Sequence, residues 1–154
     1  MLRRFKAVDW ENYLILSRDF YASAATDHPV PESHFQRTFA ECVAGSPLAC
    51  GWMIENGNGQ PVGYMLASLT WSNEFGGRVA WLEELWLAES ARGNGLGRRV
   101  FEAVLKELAE KEKVAGFRLE VAPANKGVAS LYQKLGFTPV PYGQLWRTAN
   151  PLKK

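Results

Sequence analysis

Three glycines fall within five residues in Arg92-Gly93-Asn94-Gly95-Leu96-Gly97, between an apolar stretch ending in Leu85-Trp86-Leu87 and an amphipathic one that carries Val100, Phe101, Val104, Leu105 and Leu108 on one stripe. Glycine reaches left-handed backbone angles at no steric cost, so alternating glycines turn successive N–H groups toward one point. A helix starting there adds the positive end of its dipole. The segment therefore predicts a strand, a tight anion-receiving turn and a helix. Arg98 and Arg99 stand in the first helical turn, where the dipole disfavours a cation by a fraction of ~1 kcal/mol. A bound polyanion would remove that penalty.

The spacing excludes the two commonest anion loops. A nucleoside-triphosphate loop needs G-x-x-x-x-G-K-[ST], and neither the Lys nor the Ser/Thr is present. A dinucleotide turn needs G-x-G-x-x-G, but the residue three after Gly95 is Arg98. What remains is R-x-x-G-x-G, at Arg92, Gly95 and Gly97.

Around this turn the chain reads as alternating elements. Leu2 to Val8 reads as a strand, and Asp9 as the N-cap of a helix carrying Tyr13, Leu14, Leu16, Phe20 and Tyr21. A second helix begins at Pro31 and ends at Gly45. Ala49–Glu55 and Pro61–Thr70 form a hairpin across Asn56-Gly57-Asn58-Gly59, and Arg78–Ala88 is a third apolar strand. After the amphipathic helix come a strand at Phe117–Val121, a helix capped by Asn125 and closed by Gly136, and two terminal strands at Phe137–Val140 and Gln144–Thr148. The strand-helix-strand unit around the Gly-rich turn calls for two parallel strands; the hairpins make the rest antiparallel.

With R-x-x-G-x-G and this order of elements, the chain resembles the GNAT superfamily of N-acetyltransferases. Asn125 followed seven residues later by Tyr132, in Leu131-Tyr132-Gln133-Lys134-Leu135-Gly136-Phe137, resembles that family's downstream motif. Trp81-Leu82-Glu83-Glu84-Leu85-Trp86-Leu87 is similar to the spermidine/spermine N-acetyltransferase branch. The resemblance implies one mixed α/β domain over residues 1–154, with a mostly antiparallel seven-stranded sheet, helices on both faces and a splay between the fourth and fifth strands.

The resemblance further implies acetyl-CoA as cosubstrate and a primary amine of a small, polyamine-like molecule as acceptor, joined by direct attack in a ternary complex. The diphosphate belongs at Arg92, Gly93, Asn94, Gly95, Leu96, Gly97 and Arg98, and the pantetheine arm beside Leu85, Trp86 and Leu87, as an added strand would lie. Asn125 and Ser130 are further cofactor contacts, although Asn125 alone suffices as a helix cap. An alkylamine with a pKa near ~10 is protonated at neutral pH, and the departing thiolate needs a proton, so a base and an acid are required. Tyr132 is the expected acid; the alternative is a half-buried packing ring. The resemblance puts a carboxylate at Glu83, the expected base, with Glu84 the runner-up; neighbours on a strand face opposite ways, so only one of them faces the cleft unless a bulge re-aims both. Glu74, Phe75 and Glu83 are the expected acceptor contacts, within a site drawn from the first two helices, the Ser72–Phe75 loop and the last strand pair. Trp10, Tyr21, Trp71, Trp86, Tyr142 and Trp146 are aromatic candidates there.

Two rival readings stay open: a catalytically degenerate coenzyme A-binding sensor or structural protein of the same fold, and an unrelated module that binds a nucleotide or phosphorylated ligand at the turn. Composition narrows the partners. A formal charge of +2 offers no basic face for nucleic acid or membrane, and no segment reaches the roughly 18 apolar residues of a span. Residues 1–10 lack an apolar leader, so a cytoplasmic location is expected. Cys42 and Cys50 form no C-x-x-C pair, and His28 and His34 stand without ligating neighbours, so no metal is expected. The many aromatic residues leave room for a homodimer.

Overall fold

The computed structural model describes residues 1–26, 28–122 and 126–149. Its elements are β1 (Leu2–Arg4), a one-turn 3-10 helix (Ala7–Asp9), α1 (Trp10–Tyr21), α2 (Glu32–Val43), β2 (Ala49–Glu55), β3 (Pro61–Ser72) and β4 (Gly77–Leu87). A second 3-10 turn (Glu89–Ala91), α3 (Leu96–Lys111), β5 (Gly116–Leu119) and α4 (Lys126–Lys134) complete it. The sheet order is β1-β2-β3-β4-β5. The first three pairings are antiparallel and β4–β5 is parallel, as the strand-helix-strand unit requires.

Period-2 alternation divides the apolar residues between the two faces. Trp52, Ile54, Met65, Ala67 and Leu82 pack under Val100, Phe101, Val104 and Leu108 of α3. Met53, Tyr64 and Leu66 pack under Tyr13, Leu16 and Phe20 of α1 and Phe35 and Phe39 of α2.

β1 is shorter than the sequence predicts. Asp9 does not cap α1 with its side chain; its carboxylate accepts the Lys6 N–H at 2.7 Å and both Arg3 Nη atoms at 2.7 and 2.8 Å. Turning the chain back on itself at Lys6 ends the strand. Arg3 also donates to Glu55 Oε1 at 2.7 Å, which ties the turn to the end of β2.

Among the described residues the sheet has five strands rather than the seven expected. Residues 137–149, where two more were expected, are not in strand conformation, and Leu145 and Trp146 are exposed. Pro139 removes a ladder donor from the first of these segments, and Pro141 and Gly143 break the chain between the two. The predicted cap Asn125 lies outside the described residues. Gly45 (φ 71°) and Gly136 (φ 88°) do take the left-handed angles expected after α2 and α4.

Two irregularities shape the site. Leu66 pairs with Glu84 while Ala67 pairs with Leu82, so Glu83 is an extra residue, a bulge in β4. In addition, β5 pairs with β4 only from Val79↔Gly116 to Leu82↔Leu119. From Glu83 to Leu87, β4 has β3 on one side and, among the described residues, no strand on the other.

Candidate active site

The bulge places both carboxylates on the α1/α2 face. Glu84 Oε1 accepts the Tyr21 hydroxyl at 2.7 Å and Oε2 accepts the Tyr64 hydroxyl at 2.6 Å. Glu83 Oε1 accepts the Ser68 hydroxyl, and Glu83 is the more exposed of the two. Burial pushes the Glu84 carboxyl above its usual range; the two phenolic hydrogen bonds pull it back in part, and the Glu83 charge adds to the rise. Burial and the adjoining Glu84 charge push both phenols up, so they stay protonated and donate to the carboxylate.

Glu83 and Glu84 stand between two cavities. One, of about 110 Å³, opens where β4 and β5 part, bordered by Leu82, Leu85, Glu120, Val121 and the Tyr132 ring. The other, of about 310 Å³, lies toward α2 and is lined in part by Glu41, Cys42, Cys50 and Leu66. Both cysteines are free thiols, and burial pushes Cys42 up to about 12, so it is chemically quiet.

Local chain geometry sets Tyr132. After α4, the Phe137 N–H bonds to Tyr132 O and the Gly136 N–H to Gln133 O, both at 3.0 Å, a helix ending that needs the left-handed Gly136. It turns Phe137 back, so that the Tyr132 ring sits 5.2 Å from Phe101 and 6.0 Å from Phe137 by centroids. Burial raises the Tyr132 phenol. Ser130 and Lys134 are exposed on the same helix.

Beyond β4 the Gly-rich turn takes the conformation its glycines allow. Gly93 has φ 81° and Gly95, at the N-cap of α3, φ 76°. Asn94 Oδ1 accepts the Leu96 N–H at 3.0 Å, and the Arg99 N–H bonds to Gly95 O at 3.2 Å. The N–H groups of Gly97 and Arg98 between them have no helical acceptor to reach. At Gly97 the nearest atom to an added Cβ would be Leu87 Cδ1 at 3.6 Å, an ordinary contact. The chain's own packing therefore does not demand glycine there, and its bare surface suits the close approach of a phosphate. This is the fit expected for coenzyme A.

The arginines have other partners. Arg92 Nε donates to Leu87 O at 2.8 Å and its guanidinium lies 4.3 Å from the Trp86 ring centroid, so it clamps the turn to the end of β4. Arg98 pairs with Glu102 at 2.9 Å and Arg99 Nη1 donates to Asn94 O at 2.9 Å. Those contacts offset the dipole penalty without a ligand. Leu85 and Leu87 pack on the α3 side, Trp86 on the α1 side against Phe20.

Glu74 and Phe75 are not brought to either cavity. Glu74 pairs with Arg118, and the Phe75 ring lies over Gly116, where an added Cβ would come within 2.3 Å of it. Trp71, Tyr142 and Trp146 are exposed, Trp10 packs on Phe39, Trp86 packs on Phe20, and Tyr21 reaches a carboxylate through its hydrogen bond to Glu84. Sequence reasoning missed Tyr64 and Ser68. A buried tyrosine needs a partner for its hydroxyl, and that was the available signal for Tyr64. Among the described residues no three His, Cys, Asp or Glu side chains converge as metal ligands, and no helix is long and apolar enough to cross a membrane.

Known proteins resemble this one at three levels. In fold, it matches an integron cassette protein from the mobile metagenome of Cole Harbour Salt Marsh (TM-score 0.80, 23% identity, 97% of this chain and 91% of that one). It also matches the aminoglycoside acetyltransferase AAC(6')-Iy in complex with a bisubstrate analogue of coenzyme A (TM-score 0.77, 16% identity, 97% and 98%). In sequence, it is 36% identical over 61 residues to the spermine/spermidine N(1)-acetyltransferase of Bacillus subtilis (strain 168), a match spanning 40% of this chain and 40% of that relative. The family model described as "Acetyltransferase (GNAT) family" matches residues 10–137, and the chain therefore belongs to the GNAT acetyltransferase family.

Proposed function

We propose that this protein transfers the acetyl group of acetyl-CoA to a primary amine of a small molecule, by direct attack within a ternary complex. One observation carries the reading: two carboxylates, a tyrosine and the unpaired edge of β4 line one cavity at the end of the strand that leads into the Gly-rich turn.

Acetyl-CoA supplies an acetyl thioester. The residues that would hold it are Gly93, Asn94, Gly95, Leu96, Gly97 and Arg98 at the diphosphate and the backbone of Leu85, Trp86 and Leu87 along the arm, with Arg92 bracing the turn and Asn125 and Ser130 as further contacts. In the transfer, the amine nitrogen bonds the acetyl carbon, the carbon–sulfur bond breaks, and the amine's proton leaves to a carboxylate. The Leu85 N–H faces the negative charge that develops on the thioester oxygen. Tyr132 returns a proton to the sulfur.

Between the carboxylates, the surroundings favour Glu84 as the proton acceptor. Its burial raises its basicity, and Tyr21 and Tyr64 fix its position; Glu83, at the bulge, holds the incoming ammonium. The likeness to a spermine/spermidine acetyltransferase supports a cationic amine as acceptor. The test is thiol release from acetyl-CoA with a panel of diamines, amino sugars and peptide amines. Release with at least one class is expected. Tight acetyl-CoA binding with no release for any amine would instead establish a coenzyme A sensor, and binding of ATP or NAD in its place would overturn both.

A further inference from the structure

The bulge at Glu83 creates a positioning problem. A bulged residue falls out of the ladder, so its side chain is aimed less firmly than those of its neighbours. Glu83 is also exposed, and its charge bears on that of Glu84; like charges drive the two carboxylates apart. Without a further anchor, its flexible side chain would spread the carboxylate over many positions. Glu84 has no such freedom, because the Tyr21 and Tyr64 hydroxyls engage both of its oxygens.

Ser68 stands where that anchor is needed. Along the α1/α2 face of β3, Tyr64 and Leu66 are buried, Ser68 is half-buried and Thr70 is exposed, so Ser68 marks the margin of the helical cover. It pairs with Trp81 across the strands, two residues before the bulge, and its hydroxyl donates to Glu83 Oε1. Among the described residues Glu83 accepts no other hydrogen bond, which leaves Oε2 open to a ligand. Ser68, Glu83 and Glu84 all line the cavity of about 310 Å³. A side chain this small offers little to packing, but its one donor fixes the carboxylate that would meet the amine.

We infer that Ser68 is a positioning residue for acetyl transfer: by holding Oε1 of Glu83 it presents Oε2 to the acceptor's ammonium, and so sets acceptor affinity rather than the rate of the chemical step. The inference rests on the acetyl-transfer reading, in which Glu83 holds the amine and Glu84 takes its proton. Preorganising one flexible side chain strengthens the hold on the acceptor by about three- to tenfold. Because the effect passes through Glu83, it vanishes when Glu83 carries no charge.

Steady-state thiol release with butane-1,4-diamine at saturating acetyl-CoA tests this, in Ser68→Ala, Ser68→Thr, Glu83→Gln and the double variant Ser68→Ala/Glu83→Gln, with thermal unfolding to verify that each is folded. In Ser68→Ala the acceptor KM should rise about three- to tenfold while kcat and acetyl-CoA affinity stay close to wild type. Ser68→Thr keeps the hydroxyl and should restore KM, and Ser68→Ala should add nothing in the Glu83→Gln background. An unchanged KM in Ser68→Ala, a fall in kcat in its place, or the same KM rise with Glu83→Gln already present overturns the inference. Calorimetry with the same diamine separates it from acetyl transfer. Weaker binding to Ser68→Ala than to the wild type, with no thiol release by either, would sink the transfer reading and keep Ser68 as the residue that sets Glu83 for a cation. Release by the wild type with equal diamine affinity in both proteins would do the reverse, and a wild type that neither binds nor acetylates the diamine overturns the inference as well.

Discussion

The Tyr64 hydroxyl donates to Glu84 Oε2 at 2.6 Å, across a strand pair whose register is shifted by one residue next to that contact. A hydrogen bond given to a carboxylate favours its charged form and lowers its pKa, against the burial that raises it. In Tyr64→Phe the burial stays and the bond goes, so the Glu84 carboxyl rises further. Activity that needs ionised Glu84 is then lost at higher pH, and the acid limb of the kcat/KM profile moves up. Glu84→Gln should lower kcat by about 100-fold or more and remove that limb. A profile unmoved in Tyr64→Phe would take Glu84 out of the proton transfer.

Tyr132 is set by the left-handed turn at Gly136 and by packing on Phe101 and Phe137. Those ring contacts survive in Tyr132→Phe. The expected result is a fall in kcat of about 100-fold with acetyl-CoA affinity nearly intact, measured by steady-state kinetics and calorimetry. An unchanged kcat would make the tyrosine a packing residue only.

Gly95 has φ 76°, and an added Cβ would lie 3.3 Å from Arg99 Nη1, the mobile end of a long side chain. Gly95→Ala is therefore a backbone change more than a steric one, costing about 1–2 kcal/mol for a left-handed alanine. A turn that relaxes to avoid that cost no longer aims its N–H groups together. Acetyl-CoA Kd should rise about tenfold or more, while the acceptor's KM stays close to the wild-type value.

Asp9 is 2% exposed, with three hydrogen bonds from Arg3 and Lys6. Burial works to raise its pKa, but these bonds prevail and hold it below the usual carboxylate value. A depressed folded pKa means stability that is present above the unfolded value near ~3.9 and is lost as pH falls through the folded one. Asp9→Ala leaves Arg3 only Glu55 as an acidic partner and should cost about 2–3 kcal/mol, or about 5–10 °C in Tm. The wild type's loss of Tm below pH 4 should be correspondingly flatter in the variant.

Local chemistry was readable from the sequence, and long-range pairing was not. Ala49–Glu55 has the bounds the alternation and its flanking turn indicate, and Gly93, Gly95 and Gly136 adopt the angles that only glycine takes easily. The first strand ends early because the Asp9 side chain takes the Lys6 N–H, a competition that apolar patterning does not register. The Tyr64–Glu84 contact joins residues 20 apart and depends on a one-residue bulge, so composition names both groups without joining them. The same holds for Glu74, whose partner Arg118 is brought to it by the parallel pairing of β4 with β5.

Among the described residues, the early end of β5 at Leu119 leaves β4 unpaired on that side from Glu83 to Leu87, where a stray polypeptide could add itself by its backbone. Charge beside such an edge discourages strand addition, because a growing stack would have to bury it. Glu83, the exposed one of the two carboxylates, stands beside that stretch, so a strand added there would have to bury its charge.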